Sequence, residues 1–199
     1  MRTVTAVLAI LAALLGGAPA AALEVTLSTV QFPEKQTITV RFAATPRAPR
    51  GELAAEVEAR AAQTVVELAF ARMRPAVLFA GDVTSYVVWA VTREGAYENL
   101  GELWVRDDAG SARLSTGLKE FAMIVTAEPH AMVDAPSELV VFISQPPEKA
   151  KGSRVTAVSF GGFAPAPLHD LESIADAEYR GGTPLDLLQA EKAFELAQR

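Results

Sequence analysis

The chain contains no cysteine. That excludes a disulfide framework, thiol nucleophiles, Cys-based metal sites and the acylated cysteine of a bacterial lipoprotein anchor. Histidine is nearly absent too, with only His130 and His169 in 199 residues. Neither sits in an HExxH or His-x-His pattern, so zinc-type ligation has no visible donor set. His130 reads as an exposed loop residue and His169 as a helix entry. No Gly-x-Ser-x-Gly nucleophile turn occurs, and Glu148-Lys149-Ala150-Lys151-Gly152 lacks the glycine frame and Lys-Ser/Thr ending of a phosphate loop. Positive charge is also in the minority, with 18 Lys and Arg against 24 Asp and Glu, a formal charge of −6. Nucleic acid and anionic lipid surfaces reward clustered Lys and Arg, so neither is an expected partner. No catalytic residue, metal or cofactor is expected.

What is present begins with an export pattern. Arg2 supplies a positive start, residues 4–15 form an apolar stretch, and Gly16, Gly17 and Pro19 break it. Small residues at 18–22 then offer cleavage near Ala20 to Ala22. The competing reading is an uncleaved anchor, since residues 4–23 nearly span a bilayer. Cleavage leaves about 177 residues, enough for one cored domain with an appendage. It moves the formal charge to −7, because one Arg and no acid is lost. The expected location is periplasmic or secreted, with no stable membrane span after cleavage.

Strand signals follow. Ile38, Val40 and Phe42 alternate with Thr37, Thr39 and Arg41, the period-2 mark of a half-buried strand. Residues 53–73 are rich in Ala, Glu and Arg, which favours a helix. Yet Val66, Leu68 and Phe70 alternate with Glu67 and Ala69. We read two strands, about 53–60 and 64–73, with a single amphipathic helix ending before Pro75 as the competing reading. Tyr86 to Val91 is apolar throughout, as in a central strand buried on both faces. Asp107-Asp108-Ala109-Gly110 between two short runs predicts a hairpin. Residues 121–127, 139–144 and 154–160 add further strands.

Nine or ten short strands without strand–helix alternation predict an all-β fold, specifically an immunoglobulin-like antiparallel β-sandwich over residues 23–160. A linker over 161–182 leads to a C-terminal α-helical tail at 183–199. Thr183 is placed as N-cap and Pro184 at N1. Leu187, Ala190, Phe194 and Ala197 share one face of that helix. Leu187 and Phe194 are candidate partner-binding residues, and packing on the domain is the alternative.

Several residues in the middle of the chain stand in a distinctive order: Tyr86-x-x-Trp89, Gly95, Leu100-Gly101 within Asn99-Leu100-Gly101-Glu102, Phe121, Val125-Thr126-x-Glu128-Pro129 and Pro136-Ser137. In this the chain resembles the extracytoplasmic C-terminal domain of anti-sigma-K factors, over about residues 84–142. The resemblance implies a β-sandwich of sensory or interaction type with no catalytic residues. That family's glycine-rich turn after Glu-Pro is replaced here by His130-Ala131-Met132-Val133-Asp134-Ala135. Its cytoplasmic sigma-binding domain and membrane span have no counterpart, so no sigma-factor contact is expected. Each motif residue also has a structural reading, Trp89 as a core anchor, Tyr86 with its hydroxyl at the rim, and Glu128-Pro129 as a strand end.

Beyond the motif, alternation sets Trp104 opposite Leu103, and Tyr97 precedes the same strand. A surface patch of Tyr97 and Trp104 is the sharpest binding expectation. The function expected is that of a non-enzymatic interaction or sensing module of the cell envelope, with a protein partner. The alternatives are an envelope hydrolase using loop carboxylates and a purely structural domain of an envelope assembly.

Overall fold

β-Branched and aromatic residues fill the alternating runs, and such side chains fit a pleated surface better than a helix. The computed structural model describes residues 23–78, 82–105, 107–148 and 152–166. They form ten strands: β1 (Val25–Gln31), β2 (Thr37–Ala44), β3 (Glu52–Ala59), β4 (Thr64–Ala71), β5 (Ser85–Val91), β6 (Tyr97–Leu103), β7 (Gly110–Thr116), β8 (Glu120–Glu128), β9 (Val140–Ser144) and β10 (Val155–Phe160). The fold is all-β and antiparallel. Among the described residues the one helical element is a three-residue 3-10 turn, Ala76–Leu78. The export segment, most of the 161–182 linker, and the 183–199 helix with Leu187 and Phe194 lie outside the described residues.

The 53–73 segment is two strands. β3 and β4 pair in unbroken register from Glu52↔Ala71 to Ala59↔Thr64. Alternation outweighs helix propensity here because it gives one face to bury: Leu53, Ala55, Val57 and Ala59 from β3, with Val66, Leu68 and Phe70 from β4. A helix would have scattered those side chains around its axis.

The predicted hairpin across Asp107-Asp108-Ala109-Gly110 does not form. β7 pairs with β4, from Thr64↔Thr116 to Phe70↔Gly110, while β6 pairs with β5. β4 offers seven continuous partners whose inward residues match, with Val66 opposite Leu114 and Leu68 opposite Ala112. β6 is broken by a bulge, for Val88 pairs with Gly101 but Trp89 pairs with Asn99, leaving Leu100 unopposed. Gly101 takes φ +132° there, and a Cβ on it would lie 3.0 Å from Leu114. β6 and β7 are therefore neighbours without a ladder, and the path β6-β5-β8-β9-β2-β3-β4-β7 nearly closes into a barrel.

β5 and β8 are buried along almost their whole length. Their inner faces, including Val88, Met123 and Val125, join the main core with Phe121, Leu68 and Phe142. Their outer faces, with Val87, Trp89, Val91 and Ile124, are covered by Leu27 and Phe160. Those two residues come from the β1–β10 ribbon, which is paired from Val25↔Phe160 to Val30↔Val155. β1 reaches this position because its last residues, Val30 and Gln31, remain paired to β8. The segment after Glu128 folds over the same outer face. Asn99 donates from Nδ2 to the carbonyls of Ala131 and Val133, at 2.9 and 3.1 Å.

Gly101→Ala should destabilise the protein by about 1–3 kcal/mol, through its positive φ and the crowding by Leu114. Gly117→Ala, with nothing near the added methyl, should change stability by less than about 0.5 kcal/mol. Urea midpoints of the two variants check the contrast.

Candidate functional site

Four of the motif residues, Trp89, Thr126, Glu128 and Ser137, meet in one buried chain of hydrogen bonds. Trp89 Nε1 donates to Thr126 Oγ1 at 2.8 Å, and the Thr126 hydroxyl donates to Glu128 Oε1. The Ser137 amide donates to the same carboxylate oxygen at 2.8 Å, and the Ser137 hydroxyl donates to the Ala127 carbonyl at 3.1 Å. Glu128 is only 2% exposed. Burial pushes its carboxyl above the ordinary carboxylate range, opposed by the donors on Ser137 and Thr126 and by the charge of His130. The chain ties the strap leading into β9 to the end of β8, and Glu138 and Pro136 of that strap bond Ala164. Its work is structural, since every group in it is turned away from solvent.

The surface nearby is different in kind. The register places the ends of β2, β4, β6 and β8 and the starts of β3, β5, β7 and β9 at one rim. Two clefts open there. One, of about 310 Å³, is lined by Arg47, Ala48, Pro49, Arg50, Gly51, Arg72, Arg74 and Tyr86. The other, of about 190 Å³, is lined by Ala76, Thr84, Tyr86, Glu102, Leu103, Trp104 and Val105. Tyr86, 4% exposed, is a shared floor.

The backbone under the arginines is held firmly. In the β2–β3 loop Thr45 bonds Val141 through its amide at 2.9 Å and Val140 through its hydroxyl at 2.8 Å. The Ala48 amide then donates to Thr45 and the Gly51 amide to Ala48, at 3.0 and 2.9 Å. Gly51 abuts the tip of the Phe142 ring, where an added Cβ would be 2.6 Å from Cζ. After β4, Arg72 adopts φ +55°, which turns the chain. Its Nε donates to the Arg50 carbonyl at 3.2 Å, and its Nη2 pairs with Glu52. The Tyr86 hydroxyl holds the Arg74 carbonyl at 2.9 Å. All four guanidinium groups belong to exposed residues.

Trp104 stands 63% exposed, and Leu103 beside it is 1% exposed, as alternation requires. Tyr97 is elsewhere. It opens β6 whereas Trp104 follows its end, so they lie about 20 Å apart along the strand. The two do not form one patch. Tyr97, 38% exposed, meets Trp89 edge-on at 5.8 Å and Phe160 at 6.1 Å, at the edge of the outer core. His130 is exposed and lines neither cleft. No group of three or more His, Asp and Glu able to hold a metal occurs among the described residues. No known family model, curated protein or solved structure matches the chain.

The arginine cleft was hidden from sequence reading because Arg47 and Arg50 are over 20 residues from Arg72 and Arg74. A signal existed. If 53–60 and 64–73 pair antiparallel, the basic residues just before the first strand and just after the second must meet.

A raised folded value for Glu128 means that the native state keeps its proton longer than the unfolded chain. The resulting stabilisation is complete below the unfolded value of about 4.3 and is lost as pH rises through the folded one. Glu128→Gln should remove that component, so its urea midpoint relative to wild type should rise as pH is taken from about 4 to about 8. Glu128→Ala should cost about 1–3 kcal/mol at every pH, because Ser137 and Thr126 lose their acceptor.

Proposed function

We propose that this chain is an exported, non-enzymatic interaction module of the cell envelope that engages a protein partner through the rim bearing Trp104 and the four arginines. One observation carries the reading: Trp104 is 63% exposed on the wall of a cleft whose floor, Tyr86, is also the floor of the arginine cleft. Tryptophan and arginine dominate the energetics of protein interfaces when they stand beside well-packed ground. Binding costs less where the backbone is already held, and the loops under this rim are bonded at several points.

Export rests on the residue pattern of 2–22. The resemblance to the anti-sigma-K module supports an interaction role outside the cytoplasm, without the sigma factor. For the finer fold class we propose an immunoglobulin-like sandwich with a C-terminal helical tail. Its support is the main core, to which β3, β4, β5 and β8 all contribute buried side chains. Leu187 and Phe194 of the tail are proposed as a second contact.

Pull-down of the native exported protein should recover a partner that Trp104→Ala loses, with affinity reduced about thirtyfold and stability changed by less than about 0.5 kcal/mol. Equal recovery by the folded variant contradicts the rim. Deleting residues 183–199 should weaken the same association while the β domain stays folded.

A further inference from the structure

We infer that the arginine cleft is a carboxylate-binding site, and that what it takes is an acidic peptide segment of the partner. The inference rests on the rim being the contact surface and adds the chemistry of what sits there. Four of the eight residues lining the cleft are arginines, in a chain whose formal charge is −6. Such a concentration of one sign against the overall charge steers an oppositely charged ligand to that spot.

One of the cleft's arginines already pairs with a carboxylate outside its lining. Glu52 pairs with Arg72 beside it, so the geometry accepts a side-chain carboxylate from a neighbouring strand. Among the described residues Arg50 and Arg74 make no ion pair, yet their carbonyls are fixed by Arg72 and Tyr86. Two guanidinium groups are therefore set on anchored backbone with their forks available for bidentate bonding. All of the basic groups in the cleft are arginine and none is lysine. This favours planar, two-point recognition of carboxylate over capture of a point charge.

The adjoining cleft selects the kind of molecule. The exposed Trp104 and half-buried Val105 give it an apolar part beside the polar Thr84 and Glu102, and Val77, next to Ala76 of the same lining, is 53% exposed. An aliphatic side chain flanked by Asp or Glu satisfies both clefts at once. A uronic acid chain supplies the carboxylates but no aliphatic group, and inorganic phosphate supplies neither a second contact nor the spacing.

The test is titration of the full chain with four probes, followed by calorimetry and amide chemical shifts. The probes are a short peptide of Glu residues around one Leu, its Gln counterpart, an oligogalacturonate and inorganic phosphate. The Glu peptide should bind, should shift the amides of residues 47–51 and 72–74, and should weaken at least tenfold between about 50 and about 500 mM salt. Arg50→Gln with Arg74→Gln should reduce its affinity at least tenfold and flatten the salt dependence. Arg50→Glu with Arg74→Glu should transfer preference to a Lys peptide, which shows that the variant is folded. Equal binding of the Gln peptide, tighter binding of oligogalacturonate or phosphate, an unchanged double variant, or no binding of the Glu peptide at low salt each overturns the inference. The two readings fail separately. Loss of native-partner recovery in Trp104→Ala alongside charge-independent binding sustains the rim and removes the carboxylate. Arg-dependent peptide binding alongside unchanged recovery in Trp104→Ala does the reverse.

Discussion

The pairing of β5 with β8 is the constraint on which the rest of the structure depends. The two strands run in register from Ser85↔Glu128 to Val91↔Ala122, and both faces are removed from water. The inner face closes the barrel-like core. The outer face needs a cover, which the β1–β10 ribbon, the 129–136 segment and Phe163 supply. With no cysteine in the chain, this burial does what cross-links do in disulfide-bonded domains. The Trp89–Thr126–Glu128–Ser137 chain of hydrogen bonds lies across the same pair. It satisfies the polar groups that burial on two faces would otherwise leave without partners.

This arrangement explains why the motif residues are spaced as they are. Trp89 and Thr126 are brought within hydrogen-bonding distance by the β5–β8 register, and Glu128 is two residues on, on the same face. Leu100-Gly101 is the bulge that lets β6 follow β5 while Leu100 packs against the main core. Pro136-Ser137 is the strap that Glu128 holds. Each is a framework part, and their joint presence reports a way of building a doubly buried strand pair. The exposed chemistry lies at the rim beyond them, on loops hydrogen-bonded to the framework.

Much of the fold was legible in sequence because burial leaves a local trace. The unbroken apolar run from Tyr86 to Val91 marked a two-face strand, and alternation at Val66, Leu68 and Phe70 separated two strands from a helix of favourable composition. The turn residues at 107–110 predict a β6–β7 hairpin that does not form, because they report a change of direction and say nothing about which strand lies opposite. That choice was made by β4, through matched inward residues far away in sequence. The candidate site was partly legible. Trp104 could be placed outward from its neighbour Leu103, but its pairing with Tyr97 ignored the length of β6. The arginine cleft depends on strand pairing and loop path together, and neither is a local property.

The central claim is that β5 and β8, with the strap held by Glu128, form the most stable unit of the protein. Native-state hydrogen exchange tests it most directly. The amides of Val88, Ile124, Val125 and Ser137 should exchange only through global unfolding, with opening free energies equal to that of denaturant unfolding, while those of β10 and β7 exchange through smaller openings. Slowest exchange in β2–β3–β4, with β5 and β8 opening locally, would contradict the account.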